Sequence, residues 1–299
     1  MKKLYFLLIA LLCSAAMLNA ATFIVLSNND AWGTVTGGGE YNWTTVRLTA
    51  KSNEGYYFVG WYQGNTLEST SPIYDIPFYT DDERTCTYTA KFAEHVALTI
   101  NVETPGGLSD AIFDAGKRPA EVTKLTVTGT LNDDDFTLMR ETMTSLVDVD
   151  LSGITNTSGV NFNGKSTLQR IVLPENLTEI GSNAFQYCSS LTSIEIPNSV
   201  TYIDNNAFQY CSSLSSVYVS DIVAWCNIEF DNYYSNPMAY AENLYLNGEL
   251  VTNVIIPNEV TEIGDYVFFN CSSLISIEIP SSVTSIGYSA FSDVHHCYR

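Results

Sequence analysis

The chain has 299 residues, with 33 acidic against 13 basic side chains and a net charge of −20. Such a field repels nucleic acid, acidic glycans and anionic lipid, and leaves a neutral glycan or a basic protein surface as compatible partners. No Lys or Arg occurs between Arg170 and Arg299, and the plainer reading of that acidity is solubility after export.

Met1–Ala20 carries Lys2 and Lys3, then an apolar run from Leu4 to Leu18, then Asn19-Ala20-Ala21. That order predicts a secretory signal peptide cut after Ala20, and hence a secreted or cell-surface protein. A lipoprotein signal acylated at Cys13 ranks second, because Leu12 is bulkier than the residue expected there. A retained anchor ranks third, since the run is short for a span. No later segment reads as a membrane span.

Residues 21–95 predict a small β module. Val46–Ala50, Tyr56–Tyr62 and Thr85–Phe92 have strand composition and are separated by turn material such as Gly37-Gly38-Gly39 and Asn53-Glu54-Gly55. The succession GTVTGGGEY, VRLTAKSNEGYYFVGWYQG and CTYTAKF resembles the divergent internalin-type B repeat. The resemblance implies a β-grasp-like fold that serves as a stalk or spacer. Trp43, Trp61 and Tyr62 have the chemistry of a sugar-stacking platform, but in so small a domain they are expected to fill the core.

Residues 96–145 predict a transition and cap. Val96–Val102 alternates like a strand, Pro105-Gly106-Gly107 breaks it, and Leu108–Ala115 suits a short helix ended by Gly116. Val122–Val127 reads as a degenerate first repeat strand, with Leu146–Leu151 the next. Asp133-Asp134-Asp135 precedes the helically spaced Phe136–Met143. Acidic residues there suit helix capping. A calcium loop is the alternative, but the alternating ligands and the glycine are missing.

Residues 146–299 are repetitive. Units open at Leu168, Leu191, Val251 and Leu274 in steps of 23 residues, with one 37-residue unit over 214–250. Fixed phase at such a period marks a solenoid in which each coil buries its apolar positions only by stacking on neighbours. In Leu191–Pro197, Ile194 and Ile196 alternate with Ser193 and Glu195, so the first pair faces inward. Proline at 174, 197, 257 and 280 ends each strand. Val200 and Ile203 return to the core. Gly181, Gly264 and Gly287, with Asp204 in one copy, are expected at positive φ. Ala-Phe follows on a short helical turn.

The pattern LxxIxIPxxVxxIGxxAFxxCxx resembles the BspA-type leucine-rich repeats of bacterial surface proteins. The resemblance implies a non-catalytic adhesion or binding protein that engages a protein ligand on another cell or host surface. The fold class expected is mainly β: the β-grasp-like module followed by a leucine-rich-repeat solenoid with short helical turns.

Two surfaces are candidates for binding. One is the outward side of the repeat strands, including Arg170, Val172, Glu195, Tyr218, Ile255 and Glu278, which would form a strip of about 30 Å over seven strands. The other is the 37-residue unit, an insertion of the kind that falls on a solenoid rim. There Trp225-Cys226 replaces the usual turn, Leu244–Leu250 reads as a hairpin with Asn247-Gly248 at its tip, and Tyr233, Tyr234, Tyr240 and Tyr245 concentrate. Tyrosine offers contact area with a hydroxyl; recognition of a partner and packing on the insert's own coil are equally open readings.

Cys188, Cys211 and Cys271 share one repeat position and are expected as stacked core thiols, with disulfides open in an exported chain. Neither a metal nor a cofactor is expected: no CxxC pair occurs, and His295-His296-Cys297 lacks ligand spacing. His95, His295 and His296 are the only histidines, and no catalytic motif surrounds them. Glu179/Glu262 and Glu195/Glu278 read as solvated repeat positions, so a hydrolase is the third class behind a protein binder and a carbohydrate binder. The last repeat reaches Phe291 with Val294 at the cysteine position. An exposed apolar edge is expected there, consistent with truncation, self-association or a marginal last coil.

Overall fold

The computed structural model describes residues 21–41, 44–78, 84–157 and 159–294. The expected signal peptide with Cys13, and Trp43, His295, His296 and Cys297, lie outside the described residues.

The N-terminal module is two small sheets. Its strand Ala21–Ser27 pairs in parallel with Thr85–Glu94 and antiparallel with Gly39–Tyr41, while Tyr56–Gln63 pairs with the other side of Thr85–Glu94. Gly33–Thr36, Thr44–Ser52 and Ile73–Phe78 make the second sheet. Alternation puts Val46, Leu48, Phe58, Trp61, Ala90 and Phe92 into one core. Trp61 is fully buried and its indole N–H donates to the Pro72 carbonyl at 3.4 Å. It is therefore core, not a platform. Tyr62 is half-buried, with the Lys91 ammonium 3.7 Å from its ring centre.

The solenoid ladder begins earlier than the regular repeats. Ala97–Val102, Lys124–Gly129, Asp148–Ile154 and Arg170–Val172 form one parallel sheet, with Lys124 aligned to Ala97 on one side and to Asp148 on the other. Ser193–Glu195, Ser216–Val219 and Asn243–Leu246 form the next sheet along the solenoid, and Asn253–Ile255 pairs with Ser276–Glu278. A second row of two-residue strands follows each proline turn, such as Glu179–Ile180 against Tyr202–Ile203. Helix α1 (Leu108–Asp114) and helix α2 (Asp133–Thr137) cover the first coils. The Asp133–Asp135 run does cap: the Asn132 side chain accepts from the N–H groups of Asp134 and Asp135. The buried Asp135 carboxylate in turn accepts from the N–H groups of Asn132, Gly106 and Leu108 at 2.7–3.0 Å.

Inside, the repeat positions stack as columns. Phe162, Phe185 and Phe208 lie ring on ring, at centroid distances of 6.2 and 5.4 Å and nearly parallel. Cys188 and Cys211 are fully buried free thiols whose S–H groups donate to the carbonyls of Phe162 and Phe185, one coil back. Ile194, Val200 and Ile203 are buried to within 1%. Each such side chain contributes about 1.5–3 kcal/mol, and only because its counterpart one period away covers it. On the last coil, Ile286 is 52% and Ile279 41% exposed.

One local expectation fails. Gly181, Gly264 and Gly287 do not have positive φ. The left-handed residues come two positions later, at Asn183, Asn206, Tyr266 and Ser289 (φ 52–63°), and again at Gly164, Tyr187, Tyr210, Asn270 and Asp293 (φ 53–77°). Space requires glycine at only one of the three, since a Cβ on Gly264 would make ordinary contacts at 3.6–3.7 Å. A Cβ on Gly287 would lie 2.4 Å from the Asp265 carboxylate, although on Gly181 it would meet nothing within 4 Å.

Candidate binding surfaces

Within each of the three parallel sheets the strands pair in register, so their outward residues line up. Arg170 aligns with Asp148 and Lys124, Ser193 with Ser216 and Asn243, and Ile255 with Glu278. The Asp148 carboxylate, nearly buried, sits between the Lys124 ammonium at 3.2 Å and the Arg170 guanidinium at 3.0 Å. These three form a fixed charged cluster on an otherwise acidic solenoid. Glu195 and Glu278 are exposed, Val172 is half-buried, and Ile255 is 69% exposed.

The 37-residue unit supplies more than a rim loop. Its Asn243–Leu246 segment enters the ladder, so Tyr245 lies beside Tyr218 with ring centres 4.8 Å apart and 19° between planes. Tyr245 thus belongs to the strand face and not to the loop cluster in which the sequence placed it. Asn247 and Gly248, both at positive φ, turn the chain back into Glu249–Leu250, and this hairpin separates the Arg170–Tyr245 stretch from Ile255 and Glu278. At the start of the unit, helix α3 (Ile222–Cys226) is capped by Asp221, and the buried Trp225 donates to the Val267 carbonyl at 3.0 Å. The Asn236 amide donates to the Tyr266 carbonyl at 2.7 Å. The insert is therefore stitched to the coil that follows it.

The N-terminal module packs against the same side of the solenoid. The Gln169 amide donates to the Phe58 carbonyl at 2.7 Å, the Ser190 hydroxyl to the Thr70 carbonyl at 3.2 Å, and Ser71 and Ser213 share a hydrogen bond. Between module and ladder lies a cleft of about 700 Å³ whose lining includes Lys51, His95, Lys124, Arg170, Ser193 and Tyr218. His95 pairs with the Thr123 hydroxyl at 3.2 Å and rests on Tyr57; burial lowers its pKa from the ordinary 6.5. The cleft brings cationic groups, hydroxyls and an aromatic pair to one place. It can hold a polar chain.

The remaining predicted tyrosines, Tyr233, Tyr234 and Tyr240, form a second group with ring centres 3.7 and 6.3 Å apart. Sequence reasoning missed Tyr187 and Tyr210, whose rings stack at 4.7 Å on the surface. They were concealed by being part of the repeat pattern. Glu179 and Glu262 are exposed on the short second-row strands and Glu195 and Glu278 on the main ones. No group of three or more His, Cys, Asp or Glu among the described residues could hold a metal ion. No helix among them is long and apolar enough to cross a membrane.

Comparison with known proteins agrees with this architecture. The BspA type leucine rich repeat region matches in six copies over residues 142–235 and 240–297, and the divergent InlB B-repeat domain matches 24–95. A leucine rich repeat protein of T. pallidum is similar at 24% identity, covering 68% of this chain and 83% of its own (TM-score 0.35). A leucine rich cell surface protein of Faecalibacterium prausnitzii is 18% identical over 81% and 73% (TM-score 0.30). A leucine-rich repeat protein of Bacteroides ovatus is 16% identical over 83% and 81% (TM-score 0.28). No curated protein matches.

Proposed function

The chain belongs to the BspA-type leucine-rich repeat family, and from that premise we propose that it is an exported, cell-surface binding protein whose strand face engages a protein on another cell or host surface. Repeat proteins of this kind are typically non-enzymatic binders. The observation that carries the reading is the in-register strand face, with the Tyr218–Tyr245 stack at its centre and the Lys124–Asp148–Arg170 cluster at one side. Aromatic residues and Arg are the side chains that most often anchor protein interfaces. Here they are held on rigid strands, so little ordering entropy is lost on contact.

The test uses the full chain, immobilised and exposed to labelled host-cell surface proteins. A protein captured by the wild type should be lost with the double variant Tyr218→Ala/Tyr245→Ala and weakened by Arg170→Glu, whereas Tyr233→Ala should retain it. Capture that survives the double variant, or that is lost only with Tyr233→Ala, would refute the strand face as the site.

A further inference from the structure

The side of each coil that leads back to the next strand carries an aromatic band that the strand-face reading does not use. Tyr187 and Tyr210 are half exposed and stacked at 4.7 Å with 13° between planes. The Tyr210 N–H donates to the Tyr240 hydroxyl at 2.8 Å, and from Tyr240 the rings run through Tyr234 and Tyr233 to Phe269.

Backbone geometry marks this band out. Tyr187 and Tyr210 sit at φ 63° and 64°, a region unfavourable for a bulky side chain. The same repeat position holds Gly164 one coil earlier and Asn270 later, residues that accept it readily. The turn sets the left-handed backbone in every coil, but two large rings held half exposed there, where Gly164, Asn270 and Asp293 suffice elsewhere, are required by neither burial nor the turn. Non-glycine strain of this kind concentrates at ligand-holding sites.

The stack also ends in open space. At Gly164, the position that would otherwise carry the next ring, an added Cβ would meet nothing within 4 Å. The outer face of Tyr187 is uncovered there. A flat ring laid on it would continue the stack at the coil-to-coil step of about 4.8 Å.

The chemistry selects the ligand. No Lys or Arg lies between Arg170 and Arg299, so a polyanion has no counter-charge. The rings around Tyr233 and Tyr240 are themselves tyrosines and Phe269, so the band offers ring faces and phenol hydroxyls. What borders the rings is carboxamide, as in the Gln186 amide donating to the Gln209 side chain at 2.5 Å. Exposed aromatic faces, phenol hydroxyls and uncharged amides are what the C–H face and hydroxyl rim of a neutral sugar need. We propose that the Tyr187–Tyr210–Tyr240–Tyr233 band binds a neutral glycan chain, with one sugar ring stacked on the outer face of Tyr187 above Gly164. This site is separate from the strand face and stands or falls apart from it.

The experiment is affinity electrophoresis of the full chain in gels containing mannan, a β-glucan, a galactan or an acidic pectate. Retardation is expected in at least one neutral gel, weakened about tenfold or more by Tyr187→Gly and by Tyr233→Ala, and unchanged by Tyr218→Ala. Tyr187→Gly relieves the backbone strain, so its thermal midpoint should hold or rise while binding falls; a merely structural tyrosine would not behave so. The proposal is overturned by an absence of retardation in every neutral gel, by retardation in pectate alone, or by retardation that survives Tyr187→Gly. Light scattering that shows dimers dissociating on Tyr187→Gly would assign the band to a second copy of the chain and overturn it as well.

Discussion

Lys165 is buried to 4% at the junction between the cap helices and the first regular coil. Its ammonium donates to the Met143 carbonyl at 2.5 Å and the Arg140 carbonyl at 3.4 Å, closing the helical segment that follows α2. Burial lowers its pKa from 10.5 to about 8. In the unfolded chain the same lysine titrates near its ordinary value. Between about pH 8 and 10.5 the unfolded state therefore holds a proton that the folded state has released, and stability rises with pH through that window. Below it, the cost of burying the charge is fully present. At about 1.4 kcal/mol per unit, the effect approaches ~3 kcal/mol across the window. Lys165→Met removes this titration while leaving the Met143 carbonyl unpaired, at about 1–3 kcal/mol. At pH 7 the loss of that bond is offset by relief of the buried charge, so the two proteins should lie within about 2 kcal/mol there. Their difference should then widen in favour of the wild type from pH 8 to 10.5. The assay is urea unfolding of both proteins at half-unit pH steps, read as the difference in unfolding free energy. Tyrosines and other groups common to both cancel in that difference, and burial holds the neighbouring Cys188 thiol well above its ordinary value, protonated through the window. A difference flat to within about 0.5 kcal/mol from pH 7 to 10.5 would refute the reasoning.

Three further outcomes follow from the packing. Phe208→Ala should cost about 3–5 kcal/mol and Phe208→Leu under about 2, because the ring is fully buried on Phe185; hydrogen exchange should locate the loss in the coils on either side. Trp225→Phe should cost about 1–3 kcal/mol by orphaning the Val267 carbonyl, with protection falling first over residues 251–291. Gly181→Ala should be neutral or stabilising by about 0.4–1 kcal/mol, whereas Gly287→Ala must displace Asp265 and should destabilise; equal thermal midpoints for the two would contradict the account of that repeat position.

The inward columns were legible in the sequence because the physics that fills them repeats. Ile194, Val200, Ile203, Phe208 and Cys211 are each required once per coil, and their period alone places them. The left-handed backbone was not legible. Asn183 and Asn206 hold that conformation, but so do Tyr266 and Ser289 in the same column. A position defined by conformation and occupied by three residue types leaves no residue signature, and the nearby glycines drew the expectation to themselves. Contacts between module and ladder were hidden for another reason. Gln169 reaches Phe58 across 111 residues, and no local pattern encodes so distant a pairing.

The tyrosines show how periodicity can both expose and conceal. Within the 37-residue unit they broke the pattern and drew notice, yet only strand register could divide them, sending Tyr245 to the strand face and leaving Tyr233, Tyr234 and Tyr240 on the return side. Tyr187 and Tyr210 stood inside the pattern and passed as ordinary repeat residues. A core explanation requires burial, and they are about half exposed. The left-handed turn accounts for their backbone, which Gly164, Asn270 and Asp293 share in the same column, but it does not call for a ring. The glycan band proposed above gives those two rings a use, whereas burial alone accounts for Ile194 and Cys211.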